Sequence, residues 1–194
     1  MDEKNIIKRL KSLLGPSRFR HSLRVRQKAL RLSKFHQIDL KKARIAGLLH
    51  DVSRYMDRKA LLQFAEKIKL KIDPISRLEP KLLHAAISAH IARHKFGVKD
   101  PQVLKAISSH TLGRVNMSAL EKIIYIADHV EEGRSHAGVK KARKLAETDM
   151  DRTIVAISSS MIRYLLDQGL PVHPMTVKVR DHYLLKNEQK KKPG

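Results

Sequence analysis

Residues 47–54 read GLLHDVSR and place a histidine and an aspartate at the end of an apolar, helix-like run. A small protein normally puts leucine at such a position. The small side chains of Ala46 and Gly47 just before His50 would let a neighbouring helix approach closely. His50 and Asp51 therefore mark either a helix end that has reached water or a binding site.

The composition limits what this site can be. With 194 residues, 42% of them hydrophobic, the chain is long enough for one domain with a core. No segment approaches the roughly 20 apolar residues of a membrane span, and the N-terminus does not resemble a signal peptide, so we expect a cytoplasmic protein without a membrane partner. Because cysteine is absent, any metal must be held by His, Asp or Glu.

The charge is strongly positive, with 41 Lys and Arg against 19 Asp and Glu, a net +22 and a pI near 10.4. Such an excess favours polyanions such as nucleic acids, nucleotides or anionic membranes. Aromatic residues make up only 4% and tryptophan is absent, which disfavours a stacking platform for single strands. The charge thus predicts an attraction to anions but no reaction.

Helical periodicity runs through almost the whole chain, and no segment alternates with the period of a strand. Helix starts are marked by Asp39, Asp57 and Asp100, and by Ser118 with Glu121 in a capping-box pattern. The sequence therefore predicts an all-α fold, one helical bundle of about eight or nine helices.

The predicted domain covers residues 1–185. Residues 186–194, KNEQKKKPG, form a basic, low-complexity end for which we predict disorder.

Ionisable residues interrupt several apolar helix faces. Asp128 continues an apolar stripe, and His21, His84 and His110 each lie on an apolar face, as His50 does. A lone histidine in such a place is more often a hydrogen-bonded core residue than a ligand, and a buried aspartate is costly unless paired. Several such groups, one per helix on faces that converge in a bundle, are hard to satisfy without a cation.

The remaining histidines carry no such argument. We interpret them as surface residues or local contacts: His36, His90, His94, His129, His136, His173 and His182.

Two histidines and two aspartates from this set would form a site of oxygen and nitrogen ligands, suited to iron, manganese, cobalt or zinc. A metal bound in this way lowers the pKa of its water and polarises a phosphoryl oxygen. Since no nucleophilic side chain accompanies the set, hydrolysis by a metal-activated hydroxide is the favoured chemistry.

Three segments resemble the HD superfamily of metal-dependent phosphohydrolases: RFRHSLRV at 18–25, AGLLHDVSR at 46–54 and YIADHVE at 125–131. The resemblance implies a metal site and an HD-domain helical bundle. The implied ligands are His21, His50, Asp51 and Asp128.

Further segments resemble the YqeK family of symmetrical bis(5′-nucleosyl)-tetraphosphatases: LLH at 82–84, SHTLGRVNMSALEKIIYIADHVEEGR at 109–134 and LLDQGLPVHPMTVKVRDHYL at 165–184. The similarity runs from about residue 17 to 185. It implies symmetrical cleavage of diadenosine tetraphosphate to two ADP, with iron as the bound metal. His84 and His110 resemble the additional ligands of members with a larger centre, so one or two ions are expected.

The chain departs from the family pattern at four places. Arg54 stands where lysine is usual, Ala85 replaces a glycine, Leu112 replaces a hydroxyl residue in HTLGR, and EEGR at 131–134 lacks a proline. None of these positions is an implied metal ligand, so they bear on substrate preference more than on chemistry.

We hypothesise that a metal-bound hydroxide attacks a central phosphorus, with Asp51 and Arg54 as catalytic residues. Since the substrate carries about four negative charges, nearby cations should bind it and stabilise the leaving group. The candidate substrate-binding residues are Arg54, Arg114 and Arg134, with Thr111 and Ser53 as hydrogen-bond donors to phosphate.

Two alternatives stay open at this point. The first is an HD phosphohydrolase that acts on another nucleotide, because the ligands alone do not distinguish substrates. The second is a basic, RNA-binding helical protein with a vestigial metal site, motivated by the charge and the KKK tail. A weak nucleic-acid association and a homodimer are further partner hypotheses.

Overall fold

The computed structural model describes residues 2–136 and 138–189. Within these ranges the chain forms α-helices, one 3₁₀ helix and no strand, which confirms the all-α prediction. The α-helices are α1 (Glu3–Leu13), α2 (Pro16–Phe35), α3 (Leu40–Leu49), α4 (Arg58–Lys67), α5 (Pro74–Leu78), α6 (His84–Phe96), α7 (Pro101–Ser109), α8 (Ala119–Val130), α9 (Val139–Thr148), α10 (Met150–Asp167) and α11 (Pro174–Gln189).

The described helices number eleven, two more than the upper end of the predicted eight or nine. One reason is the short α5 between α4 and α6, followed directly by the 3₁₀ helix Pro80–Leu83. Pro74 and Pro80 start these two short elements, which are too brief to show a helical period in the sequence.

The predicted caps are present at the ends that matter for the site. The Asp39 carboxylate accepts hydrogen bonds from the backbone N–H groups of Lys41 and Lys42 and so starts α3. Ser118 and Glu121 form both bonds of the capping box at the start of α8. These caps set where α3 and α8 begin, and so where the residues at their far ends lie.

Helices α2 and α3 pack unusually closely because of Gly47. A Cβ atom at this position would lie 2.9 Å from the Arg26 Cα, which is shorter than real Cβ contacts. This close approach confirms the interpretation of the small residues before His50, and it brings the end of α3 against the first turns of α2, where His21 lies.

Helix α8 runs through the centre of the bundle and touches α2, α3, α7, α9 and α10. Its side chains Ile123, Ile124, Ile126 and Ala127 are fully buried. Asp128, one residue further on, is therefore carried into the interior by a helix whose apolar neighbours are well packed.

The C-terminal helices α10 and α11 pack against each other, and α10 also packs against α8. Helix α11 continues to Gln189, so residues 186–189 are helical, whereas the tail was predicted to be disordered from residue 186. Residues 190–194 lie outside the described part of the chain, and the division into a domain and a tail stays a prediction. None of the described helices has both the length and the apolar character needed to cross a membrane.

Candidate metal centre

Six side chains from five parts of the chain converge in the interior. All are buried except Asp128, whose side chain is 16% exposed. They are His21 on α2, His50 and Asp51 in the turn after α3, His84 at the start of α6, His110 just after α7 and Asp128 on α8. The structure thus brings together every metal ligand that the sequence predicted.

Asp51 divides the cluster into two halves. Its Oδ2 atom lies 3.7 Å from the Nε2 atoms of both His21 and His50. Its Oδ1 atom lies 3.1 Å from His84 Nε2 and 3.7 Å from His110 Nε2. One carboxylate therefore faces a pair of histidines with each oxygen, an arrangement suited to bridging two cations.

Asp128 completes the first half of the cluster. Its Oδ1 atom is 3.0 Å from His21 Nε2 and 3.9 Å from His50 Nε2. The second half has a hydroxyl instead of a second carboxylate, because Thr111 Oγ1 lies 3.1 Å from His84 Nε2 and 3.2 Å from His110 Nε2. The two halves therefore differ in charge, and the first is the more anionic.

The outer nitrogen of each histidine faces an acceptor. The Nδ1 atoms of His50 and His110 lie 2.8 and 2.7 Å from the carbonyl oxygens of Gly47 and Ile107, and that of His84 faces the Lys81 carbonyl. These contacts place the proton on Nδ1 and leave the Nε2 lone pair pointing inward. Metal-binding histidines are held in the same way.

His21 differs because its Nδ1 faces a carboxylate, with Glu131 Oε1 at 3.1 Å. Glu131 is itself buried and also accepts from Arg24 and from the Gly133 backbone. Sequence reasoning missed Glu131. The available signal was its place in EEGR, three residues after Asp128 and one turn along the same helix end.

The facing nitrogens provide a test of whether the site fits a metal. The Nε2 atoms of His21 and His50 are 3.2 Å apart, and those of His84 and His110 are 3.0 Å apart. With the protons on Nδ1, each pair brings two lone pairs together with no hydrogen between them. A cation shared by the nitrogens and the Asp51 oxygens relieves this repulsion, so the donor set fits a metal.

The pKa of His50 agrees with this view, whereas at His110 burial is outweighed by Asp51 and Asp128, which raise the pKa of that ring. Burial lowers the pKa of His50 to about 4, against the opposing charge of Asp51, so this ring is neutral at neutral pH. Burial opposes ionisation of Asp51, yet His50, His110 and His84 together hold its pKa well below the ordinary range. The pKa of Asp128 is also well below the ordinary range, since His21 and His50 outweigh the effect of burial.

Arginines surround the carboxylates. Arg18 Nη1 lies 2.9 Å from Asp51 Oδ2, and Arg134 Nη2 lies 2.7 Å from Asp128 Oδ1. The half-buried Arg54 makes no side-chain hydrogen bond or ion pair with any described residue, and burial together with the Arg18 charge lowers its pKa. Sequence reasoning missed Arg18, although RFRHS places it three residues before His21.

Two predicted substrate-binding residues have structural partners instead. Arg114 donates through both Nε and Nη2 to Glu121 at 2.6 Å and through Nη1 to the Val115 carbonyl. The fully buried Ser53 hydroxyl donates to the carbonyl of His84, so it orients a ligand. The phosphate-binding role of Arg114 stays a prediction without a supporting contact.

A cavity of about 570 Å³ opens beside the second half of the cluster. Its polar end is lined by His84, Thr111, Asp128 and Arg134, which include two of the predicted substrate-binding residues. His129 and His136, interpreted above as surface or local contacts, also line it.

The opposite wall of this cavity is formed by α10, which no sequence motif had indicated. The residues that α10 contributes are Ile157, Ser160, Met161, Arg163, Tyr164 and Asp167.

Comparison with known proteins agrees with this geometry. The family model described as "HD domain" matches residues 18–133, the segment that contains all six converging side chains. The chain belongs to the HD domain family. The HD domain resembles a crystal structure described as a predicted HD superfamily hydrolase involved in NAD metabolism from Clostridium acetobutylicum, with a TM-score of 0.92 and 34% identity over 96% of this chain and 98% of that one.

Curated relatives are similar to this chain over nearly its whole length. Proteins named symmetrical bis(5′-nucleosyl)-tetraphosphatase are 35% identical in Halalkalibacterium halodurans, over 98% of this chain and all of that protein, and 35% identical in Staphylococcus aureus, over 92% and 93%. The Bacillus subtilis protein of that name is 32% identical over 91% of this chain and 94% of its own length. The family resemblance inferred from the motifs is thereby confirmed.

Proposed function

We propose that this protein is a metal-dependent hydrolase that cleaves diadenosine tetraphosphate symmetrically into two ADP. The observation that carries the proposal is the pair of histidine half-sites on either side of Asp51. The names of the full-length relatives supply the substrate class. Hydrolysis adds water across the central P–O–P bond, so that one ADP gains the hydroxyl and the other gains the proton.

The residues that would hold metal are His21, His50, Asp51 and Asp128 in the first half, and Asp51, His84 and His110 in the second. When bound there, a metal lowers the pKa of a water molecule and polarises a phosphoryl oxygen. We propose iron as the metal, in one or two ions, because the family resemblance implies it and the nitrogen and oxygen ligands are compatible with it. The proposed catalytic residues are Asp51, which faces both halves, and Arg54.

The chain's own contribution to phosphate binding is a set of arginines. Arg54 and Arg163 make no side-chain ion pair among the described residues, so their charge is available to an anion. Arg134 and Arg163 line the cavity, and Arg134 does so while bound to Asp128. When a tetraphosphate binds next to the cluster, these arginines would replace the water molecules around its phosphates. Their fixed positive charges would then stabilise the negative charge that develops as the P–O bond breaks.

Other residues act by positioning. Glu131 orients the His21 ring, Ser53 supports the backbone that carries His84, and Arg18 neutralises part of the Asp51 charge. Thr111 offers a hydroxyl at the second half of the cluster, where it can donate to a phosphate oxygen.

Product analysis tests the proposal directly. Purified, iron-loaded protein is incubated with diadenosine tetraphosphate, and the products are separated by ion-exchange chromatography. We expect ADP as the sole product. Production of ATP and AMP would contradict symmetrical attack, and absence of cleavage together with hydrolysis of a nucleoside triphosphate or a cyclic dinucleotide would favour another substrate.

The RNA-binding alternative is weakened by the complete ligand set, because a vestigial site should have lost ligands. It predicts RNA binding that falls steeply with salt in a protein purified without metal. A weak nucleic-acid association, a homodimer and a cytoplasmic location stay predictions, and the first two can be tested by filter binding at varied salt and by light scattering.

A further inference from the structure

The α10 wall of the catalytic cavity has a chemistry different from that of the metal cluster. Ile157, Met161 and Tyr164 follow one another at spacings of four and three residues, so they lie on one face of α10. All three line the cavity whose other end contains His84 and Asp128. One continuous space therefore joins an apolar strip to the charged cluster.

Tyr164 is the residue of this strip that reaches furthest into solvent. It is 58% exposed, and among the described residues its ring has no ring partner and its hydroxyl has no hydrogen bond. Ile157 is buried and Met161 half-buried beneath it. A flat, solvent-facing ring on an apolar base is the kind of surface on which a purine stacks.

The charges along the cavity give the ligand a direction. Arg134 lies at the cluster end, whereas Asp167 stands one turn beyond Tyr164 on the same wall. A carboxylate repels phosphate but accepts hydrogen bonds from the amino and imino groups of a base. Arg163 also lines the cavity, next to Tyr164 in the sequence, and adds a positive charge to this wall.

We infer that the α10 wall is a nucleoside-binding subsite, in which a purine stacks on Tyr164 with its phosphates directed toward Arg134 and the metal cluster. The cavity volume of about 570 Å³ falls within the range of roughly 300–1,000 Å³ of small-molecule sites. This inference rests on the proposed function for its substrate class. A nucleoside polyphosphate has an apolar base at one end and charged phosphates at the other, which matches the apolar wall and the charged end of the cavity.

The test compares ADP with inorganic pyrophosphate, which has the phosphates but no nucleoside. Binding of each to the metal-loaded protein is measured by isothermal titration calorimetry for the parent and for Tyr164→Ala, Tyr164→Phe and Leu166→Ala. Leu166 is 64% exposed on the same helix but does not line the cavity, so it is the matched control.

We expect Tyr164→Ala to weaken ADP binding about tenfold, equivalent to about 1.4 kcal/mol, and to leave pyrophosphate binding unchanged. Tyr164→Phe and Leu166→Ala should bind both ligands as the parent does. In kinetics, Tyr164→Ala should raise KM for diadenosine tetraphosphate more than it lowers kcat, since stacking is the same in the ground state and the transition state.

Unchanged ADP binding in Tyr164→Ala would overturn the subsite, as would an equal loss of ADP and pyrophosphate binding. These outcomes are separate from the fate of the proposed function. If the parent does not cleave diadenosine tetraphosphate but Tyr164→Ala weakens ADP binding, the subsite is supported and the proposed function is wrong. If Tyr164→Ala cleaves diadenosine tetraphosphate as the parent does and binds ADP normally, the proposed function is supported and the subsite is wrong.

Discussion

Two clusters, one around Glu121 in the first turn of α8 and one around Asp51 in the turn after α3, satisfy a buried carboxylate in opposite ways. In the first, Glu121 accepts from Arg114, from the Ser109 hydroxyl and from the Ser118 backbone. In the second, Asp51 faces four histidine nitrogens whose protons lie on the other side of the ring. Both are buried and both hold a negative charge.

The two clusters differ in whether hydrogen atoms point at the carboxylate oxygens. Each oxygen of Glu121 meets N–H or O–H groups, so the protein alone completes the network. Around Asp51 the ligands are mostly acceptors directed at one another, and Arg18 supplies only one donor. Burial and charge therefore do not distinguish a structural network from a metal centre, whereas the placement of protons does.

The largest effect is expected from Asp51→Asn. This change keeps the shape of the side chain but removes the negative charge and one oxygen from the centre. We expect a loss of activity greater than about a hundredfold and loss of bound metal. Substitution of residues that only hydrogen-bond to metal ligands already lowers metal affinity or activity by about 10- to 100-fold. Metal content by plasma mass spectrometry and turnover on the same preparation measure it.

Asp151→Asn is the control for this substitution, since Asp151 is a buried aspartate that pairs with Lys122 and Lys186 rather than with histidines. It should keep its metal. If Asp51→Asn retained metal and activity, the distinction between the two clusters would be wrong.

Arg114→Ala should have the next largest effect, and the effect should be on stability. Removal of the guanidinium leaves the buried Glu121 carboxylate without its bidentate partner. Loss of one member of a buried pair costs about 3–5 kcal/mol, and we expect about 3 because Arg114 is partly exposed. Denaturant unfolding measures this cost.

Metal content and KM of the folded Arg114→Ala protein should match the parent. A rise in KM with normal stability would instead restore the substrate-binding role that the sequence predicted for Arg114. Arg58→Ala removes an exposed ion pair with Glu79 and serves as the control, with a change of at most about 1 kcal/mol.

The smallest effect is a pH dependence that comes from Asp151. Burial opposes its ionisation, but Lys122 and Lys186 lower its pKa to about 2 from an ordinary 3.8. Since the folded pKa is the lower one, the stabilisation is complete above pH 4 and is lost as the pH falls toward 2. At full size it amounts to about 2 kcal/mol.

Unfolding free energies of the metal-free protein between pH 6 and 2, for the parent and for Asp151→Asn, measure this contribution. The difference between the two proteins should shrink by about that amount as the pH falls. A constant difference across the range would mean that Asp151 titrates at its ordinary pKa.

The sequence by itself determined the helical fold and predicted the side chains that converge at the candidate metal centre. Helical periodicity and the caps at Asp39, Asp100 and Ser118 depend on neighbouring residues, so they can be read locally. The HD pair and Asp128 stood out because an ionisable group on an apolar face is costly and therefore rare. Gly47 could also be interpreted from the sequence, because a residue without a side chain allows a neighbouring helix to approach closely.

Only the tertiary structure decided which partner each charge has. Arg114 and Arg134 both follow ligand motifs in the sequence, yet one pairs with Glu121 and the other reaches Asp128 and the cavity. Glu131 meets His21 across 110 residues of sequence, and Tyr164 comes to line the same cavity as His84 only through the folding of the chain. Such pairings depend on side-chain directions in three dimensions, which periodicity along one helix does not specify.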